Sequence, residues 1–339
     1  MKFGPVPVGE AAGTIAAHGL RLPGLFIRKG STISAEQVAA LEAAGLESVV
    51  AVRLDPEDVG EDEAALRIAE AVAGRAVRVE RPFTGRSNLY AAQGGILQVD
   101  AEAIDRINAV DESVTLATLP AFKPVVEGEM IGTVKIIPYA VPESMVAAAL
   151  EVARAGAVAV APYRLRKVGA ISTLLPGLKP SVVAKTIGTL RERLAPADAG
   201  VVAEASVPHE APPLAEELRR QAAGDAELIV VFGASAIADR ADVIPSAIEA
   251  AGGEIEHFGM PVDPGNLLLV GRIGNKPVIG APGCARSPKE NGFDWVLQRL
   301  LAGIPVTRAD ITRLGVGGLL MEIVSRGQPR EGGESEGEA

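Results

Sequence analysis

The chain has 339 residues, more than one domain usually holds. With 48% hydrophobic and 22% charged residues, packed cores rather than disorder are expected over most of it. A net charge of -10 and a pI near 5.0 lack the clustered Lys and Arg that phosphate neutralisation needs. Aromatics make up only 3%, so stacking platforms are missing too, and nucleic acid is excluded as a partner.

From the N-terminus, MKFGPVPVGEAAG lacks a cationic start followed by an apolar core, which argues against a signal peptide. A helix is predicted at about 34–45, a strand at 47–53 and a second helix from Gly60-Glu61-Asp62, whose acidic first turn suits the helix dipole. Residues 1–75 read as an N-terminal α/β unit. Residues 76–165 read as a β-rich unit, with runs VRVERPF, VTLATLP and GTVKIIPYAV punctuated by prolines and a helix near 142–155. Its polar stretch from Pro82 to Tyr90, with Arg86, Ser87 and Asn88, reads either as a ligand-binding loop or as an exposed turn. The apolar window 144–162 is broken by Glu151 and Arg154 and is too short to cross a bilayer, so no membrane partner is expected.

Beyond 168 the pattern alternates. Apolar strands VGAIST, GVVAEASV, ELIVVFG, EIEHFG, NLLLVGRI and KPVIGAP are separated by helical repeats such as SVVAKTIGTLRERL and LAEELRRQAAG, and a last helix falls around Phe293–Leu301. Continuous apolar strands between helices signify parallel βαβ units covered on both faces. The predicted fold class is therefore α/β, with a three-layer α/β/α domain and a mostly parallel sheet over 166–304. Residues 305–339 form a C-terminal extension, with an acidic, glycine-rich tail from Gly327 expected to be disordered. Cys284 is the only cysteine, which excludes an internal disulfide and a Cys-based metal cluster and fits a soluble, cytoplasmic protein.

The chemistry concentrates in two loops. Leu228 to Phe232 empties into Gly233-Ala234-Ser235-Ala236, and a second buried run ends in Pro282-Gly283-Cys284, followed by Arg286 and Ser287. Small-residue loops after apolar strands place backbone N–H groups at the sheet edge where open α/β folds bind phosphorylated ligands, so a phosphate-bearing small molecule is the expected ligand. Asp239 and Asp242 follow the first loop. They suit a Mg²⁺ ion bridging a phosphate, although Asp242 equally suits the N-cap of a helix at 243. Arg286 reads as an anion partner or, more simply, a solvated charge. Cys284 reads as a small buried residue, since no His lies near it in sequence. His209-Glu210 should reach the same edge. Ser181, with Lys179 and Lys185, stands where a helix starts, as a phosphate contact or as the N-cap. No HExxH, GxSxG, P-loop or GxGxxG spacing occurs.

On VGAIST, FGASAIADRAD and DPGNLLLVGRIGNKPVIGAPG, in that order, residues 168–303 resemble the molybdopterin-binding domain of the molybdopterin molybdenumtransferases, the MoeA and gephyrin E-domain class. The resemblance implies that molybdopterin is held by Gly233–Ala236, Pro282, Gly283, Cys284, Ser287, Thr173, Ser181, Pro264 and Gly265, with Asp239 and Asp242 as catalytic Mg²⁺ ligands. Departures stand beside it. Thr84 replaces the aspartate of a Pro-Phe-Asp motif, Leu174-Leu175-Pro176 replaces Gly-Asp-Glu, and Cys284 replaces the Asn of Pro-Gly-Asn. About 36 residues after Gly303 leave no counterpart of the family's C-terminal β-domain. Two functions follow: an enzyme of molybdenum cofactor maturation that releases AMP when molybdate is inserted, or a non-catalytic carrier serving a nucleotidyltransferase or molybdoenzyme partner. A nucleotide hydrolase of the related CinA type is a third. The resemblance also implies a homodimer.

Overall fold

The computed structural model describes residues 1–320; the expected disordered tail lies outside the described residues. Contacts divide the chain into two compact units, Met1–Tyr163 and the part from Arg164 onward.

In the first unit, helix Ala35–Ala43 starts where Ser34 and Gln37 cap each other's backbone N–H. Strand Ser48–Arg53 pairs antiparallel with Lys2–Pro7 and Ile15–Ala16, and Val6, Ile27, Ile33, Leu41 and Ala51 close a core beneath. A second core joins Ala64, Ile68 and Val72 of helix Glu61–Val72 to Leu89, Ile131, Val146 and Val160. The sequence boundary at 75/76 thus falls inside one buried cluster.

The polar stretch 82–90 is neither a ligand loop nor a plain exposed turn. Phe83 and Arg86 exchange backbone hydrogen bonds across Thr84 (φ 50°) and Gly85 (φ 71°), a two-residue hairpin turn with positive φ at both central positions. Strand Arg86–Ala91 then pairs with both Val77–Val79 and Met130–Ile136. Asn88 is used up by the sheet, donating to Glu80 at 3.0 Å and accepting from Thr133 at 2.8 Å. Cross-strand pairing of polar side chains explains why this stretch lacks a clear apolar alternation.

Elements of the second unit are numbered here in chain order: β1 (Lys167–Leu174), α1 (Pro180–Leu194), β2 (Gly200–Pro208), α2 (Ala211–Ala223), β3 (Leu228–Phe232), α3 (Val243–Ala250), β4 (Glu254–Phe258), β5 (Leu269–Ile273), β6 (Lys276–Ala281) and α4 (Gly292–Leu301). They build one six-stranded sheet in the order β2-β1-β3-β6-β5-β4. The pairings β1–β2, β1–β3 and β3–β6 are parallel; β5–β6 and β4–β5 are antiparallel. The parallel part was legible from helix-length spacers. The antiparallel β5–β6 pairing follows from a two-residue turn, Gly274-Asn275, too short for any crossover, with Gly274 at φ 59° supplying the backbone that turn requires.

Alternation along β3 separates the layers. Ile229 and Val231 share a cluster with Leu214 and Leu218 of α2 and with Ile244 and Ile248 of α3. Phe232, on the other face, packs against Phe293 of α4, their ring centroids 6.4 Å apart, and α1 lies beside α4 through Arg193 and Asp294. The domain is therefore three-layered α/β/α, as the strand–helix alternation predicts.

Candidate functional site

Because β1, β2, β3 and β6 run parallel, their C-terminal residues Leu174, Pro208, Phe232 and Ala281 share one edge. The loops after β3 and β6, the two singled out from the sequence, lie side by side there. Two side chains hold the first of them, and a third stands behind one of these. Thr173 Oγ1 accepts from Ala234 N–H at 2.8 Å and lies 2.7 Å from His209 Nδ1. From the second loop, Arg286 Nη2 donates to the carbonyl of Gly233. Gly233 C=O and Ala234 N–H belong to the same peptide group, so that group is gripped at both ends, by Thr173 at the end of β1 and by Arg286 on the loop after β6. Gly233 fits because a Cβ there would meet Ser235 O at 2.6 Å and Ile244 Cδ1 at 2.9 Å.

The electrostatics single out Arg286. Its guanidinium is half-buried, which pushes its pKa below the usual arginine value, and among the described residues no carboxylate pairs with it. It is not the solvated charge that the sequence made the simpler reading. Burial likewise pushes the half-buried Cys284 thiol up, away from the thiolate a nucleophile needs. Gly283–Arg286 forms a 3₁₀ turn in which the Ala285 and Ser287 N–H groups bond back to Pro282 and Cys284.

Several sequence-predicted residues have local duties. Asp242 caps α3, taking Val243 N–H at 2.7 Å with one oxygen and Ala238 N–H at 3.1 Å with the other. Asp239 accepts from Ala241 N–H at 2.7 Å. As folded, the pair leaves one uncommitted carboxylate oxygen, and among the described residues no group of three or more His, Cys, Asp or Glu is placed to hold a metal. Such a donor set does not fit a Mg²⁺ ion, which takes near-octahedral oxygen ligation. Asp242→Ala should cost about 1 kcal/mol through loss of the cap, read as a lowered urea midpoint at unchanged slope. A midpoint that does not move would remove the capping role.

Ser181 is not the N-cap of α1. Lys179 holds that position, because Pro180 has the fixed φ that suits the first helical residue, and Ser181 is exposed one residue further on. Pro264 O accepts from Gly292 N–H at 2.8 Å, and Gly265 (φ 143°) lies so close to Gly292 that a Cβ would sit 2.9 Å from its Cα. That pair seats the start of α4. The exposed Ser235 and Ala236, the half-buried Ser287 and the buried Pro282 complete the rim.

Arg193 is the residue that sequence reading missed. It is 9% exposed, lies over the Phe293 ring, pairs with Asp294 and donates to the carbonyls of Ala285 (2.8 Å) and Ser287 (2.7 Å). A lone Arg on the buried side of an amphipathic helix was the available signal, visible in the spacing Thr186, Ile187, Leu190, Arg193.

A cavity of about 530 Å³ lies at the opposite, amino-terminal edge of these strands, lined by Leu165, Glu227, Arg272, Lys276 and Ile304 among others. Its charges are engaged. Glu227 accepts from the Arg166 and Lys167 N–H groups, Lys276 donates to Gly224 O, and Arg272 pairs with Glu254. The edge carrying Arg286 is therefore the better candidate for a ligand.

Fold and edge together define an α/β domain with a half-buried arginine at the carboxyl edge of its parallel strands. The family model that matches is a domain of unknown function, DUF8806, over residues 5–53. No curated protein matches the chain. Solved structures similar to it include a molybdopterin biosynthesis MoeA protein from Pyrococcus horikosii, at 17% identity and a TM-score of 0.30, covering 89% of this chain and 75% of that one. Another is a CinA protein of unknown function from Thermoplasma acidophilum, at 16% identity and a TM-score of 0.30, covering 37% of this chain and 91% of that one. At that TM-score neither likeness bears on what this chain does. No described helix is long and apolar enough to cross a membrane.

Proposed function

We propose that the second unit binds a phosphate-bearing pterin, molybdopterin, at the carboxyl edge of β1, β2, β3 and β6, and that the protein serves molybdenum cofactor biosynthesis or delivery. The observation that carries the anion part is Arg286, a half-buried cation beside the Gly233–Ala236 loop without a carboxylate among the described residues. A desolvated guanidinium held by one carbonyl gains most from an anion, which can take two of its donors at once. The pterin part rests on the ordered motifs VGAIST, FGASAIADRAD and DPGNLLLVGRIGNKPVIGAPG.

Between enzyme and carrier, the arrangement of Asp239 and Asp242 favours the carrier. Their oxygens serve the loop and the helix cap rather than a cation. A carrier acts by holding its cargo and releasing it to a nucleotidyltransferase or molybdoenzyme.

Calorimetric titration of the full chain with molybdopterin tests the reading. Arg286→Gln should weaken binding about 10- to 100-fold, matching about 1.5–3 kcal/mol for a hydrogen bond to a charged group. Unchanged affinity in that variant overturns the assignment of the site. Molybdate-dependent AMP release from adenylylated molybdopterin would replace the carrier by the transferase. Hydrolysis of a free nucleotide without pterin would replace both by the CinA-type activity.

A further inference from the structure

In the form described, the edge is closed upon itself. The Ala234 N–H that would face an anion is given to Thr173, and one of the Arg286 donors is given to Gly233 O. Something has to favour opening, and the Thr173–His209 contact supplies a means.

A threonine hydroxyl has one proton to give and two lone pairs to accept with. Thr173 is 1% exposed, so its proton needs a protein partner. With neutral His209, the hydroxyl accepts from Ala234 N–H and donates to Nδ1, which fixes the ring proton on Nε2. When the ring takes up a second proton, Nδ1–H becomes a donor and must itself bond to Thr173 Oγ1. The hydroxyl proton then loses its acceptor in a buried place. An anion oxygen at the loop can accept that proton, and the imidazolium adds a second positive charge to the one on Arg286.

We propose that anion binding at this edge is coupled to protonation of His209, with Thr173 relaying the change to the Gly233–Ala234 peptide group. The proposal rests on the anion-binding reading of the same edge. By linkage, an anion that binds the protonated form more tightly must draw a proton from solvent as it binds. The other charged residues of this edge are Glu210 on the same turn as His209, Lys179 on the loop after β1, Asp239, Arg240 and Asp242 on the loop after β3, and Arg286, Lys289 and Glu290 on the loop after β6. Among the described residues none of them forms an ion pair with His209, so the hydroxyl is its polar partner.

Inorganic sulfate is the suitable probe, since its own charge is constant across the range where histidines ionise. The measurement is calorimetric titration of the full chain, over that pH range and in buffers of different ionisation heat. Wild type should bind sulfate about tenfold more tightly at the acid end than at the alkaline end, with net proton uptake at intermediate pH. His209→Gln and Thr173→Val should each remove the uptake and flatten the pH dependence. Thr173→Ser, which keeps the hydroxyl, should retain both. Sulfate binding that is weakened by Arg286→Gln but proceeds without proton uptake in wild type overturns the coupling and leaves the site standing. Uptake that persists in His209→Gln does the same. Sulfate binding indifferent to Arg286→Gln, or no binding at any pH, overturns the coupling and the site together.

Discussion

Replacing Arg193 by Ala should destabilise the second unit by about 3–5 kcal/mol, the range for removing one partner of a buried ion pair. The guanidinium is nearly inaccessible and satisfies Asp294 together with the carbonyls of Ala285 and Ser287. Truncation leaves the Asp294 carboxylate with only its Asn291 N–H bond and two carbonyls without this donor, and the Phe293 ring loses the cation above it. The 285–289 segment then has no fixed seat, so anion affinity should fall with stability although Arg193 contacts no ligand. Urea unfolding read by Trp295 fluorescence gives the first quantity and sulfate calorimetry the second. Replacing the pair jointly, by Arg193→Met with Asp294→Leu, should recover much of the stability, because no charge is then left alone. A single-variant loss below about 1 kcal/mol would show the pair to be solvated and ordinary.

Gly265→Ala should cost about 2–6 kcal/mol. Two sources add: a φ of 143° that L residues rarely adopt, about 1–3 kcal/mol, and overpacking against Gly292, a further 1–3 kcal/mol. The conflict is with backbone atoms of Gly292, so no flexible side chain can swing aside. The urea midpoint is the measurement. This variant decides between two roles for one residue, since the sequence placed Gly265 among the pterin contacts. A stable Gly265→Ala protein that binds ligand poorly would restore the contact role. An unstable one makes it the seat of α4.

The second unit was the more legible half. Strand and helix spans over 167–301 follow the apolar runs closely, because fully buried strands such as Leu228–Phe232 leave an unbroken apolar signal. What failed there was direction. A strand's sequence does not state which way its neighbour runs, and only the shortness of Gly274-Asn275 marks the antiparallel edge. The first unit was harder to read. Its strands are short and one face is often polar, so Arg86–Ala91 looked like a loop, and Gly95–Val99 and Val158–Pro162 were not singled out.

At the candidate site, the meeting of the loops after β3 and β6 could be foreseen, because parallel neighbours must end at one edge. The roles of single residues could not. Asp242 as helix cap and Asp242 as metal ligand require the same residue in the same place, and only its hydrogen bonds separate them. Arg286 shows the opposite error. Its burial depends on Gly233, 53 residues earlier, and no local pattern records that.

One feature of the first unit coincides with the stretch that the family model matches. The small core from Val6 to Ala51 closes on itself, and the matching family model spans residues 5–53, within two residues of that core at either end. The stretch that the family model matches thus ends where one packed interior ends, and the edge that carries Arg286 belongs to the other compact unit of the chain.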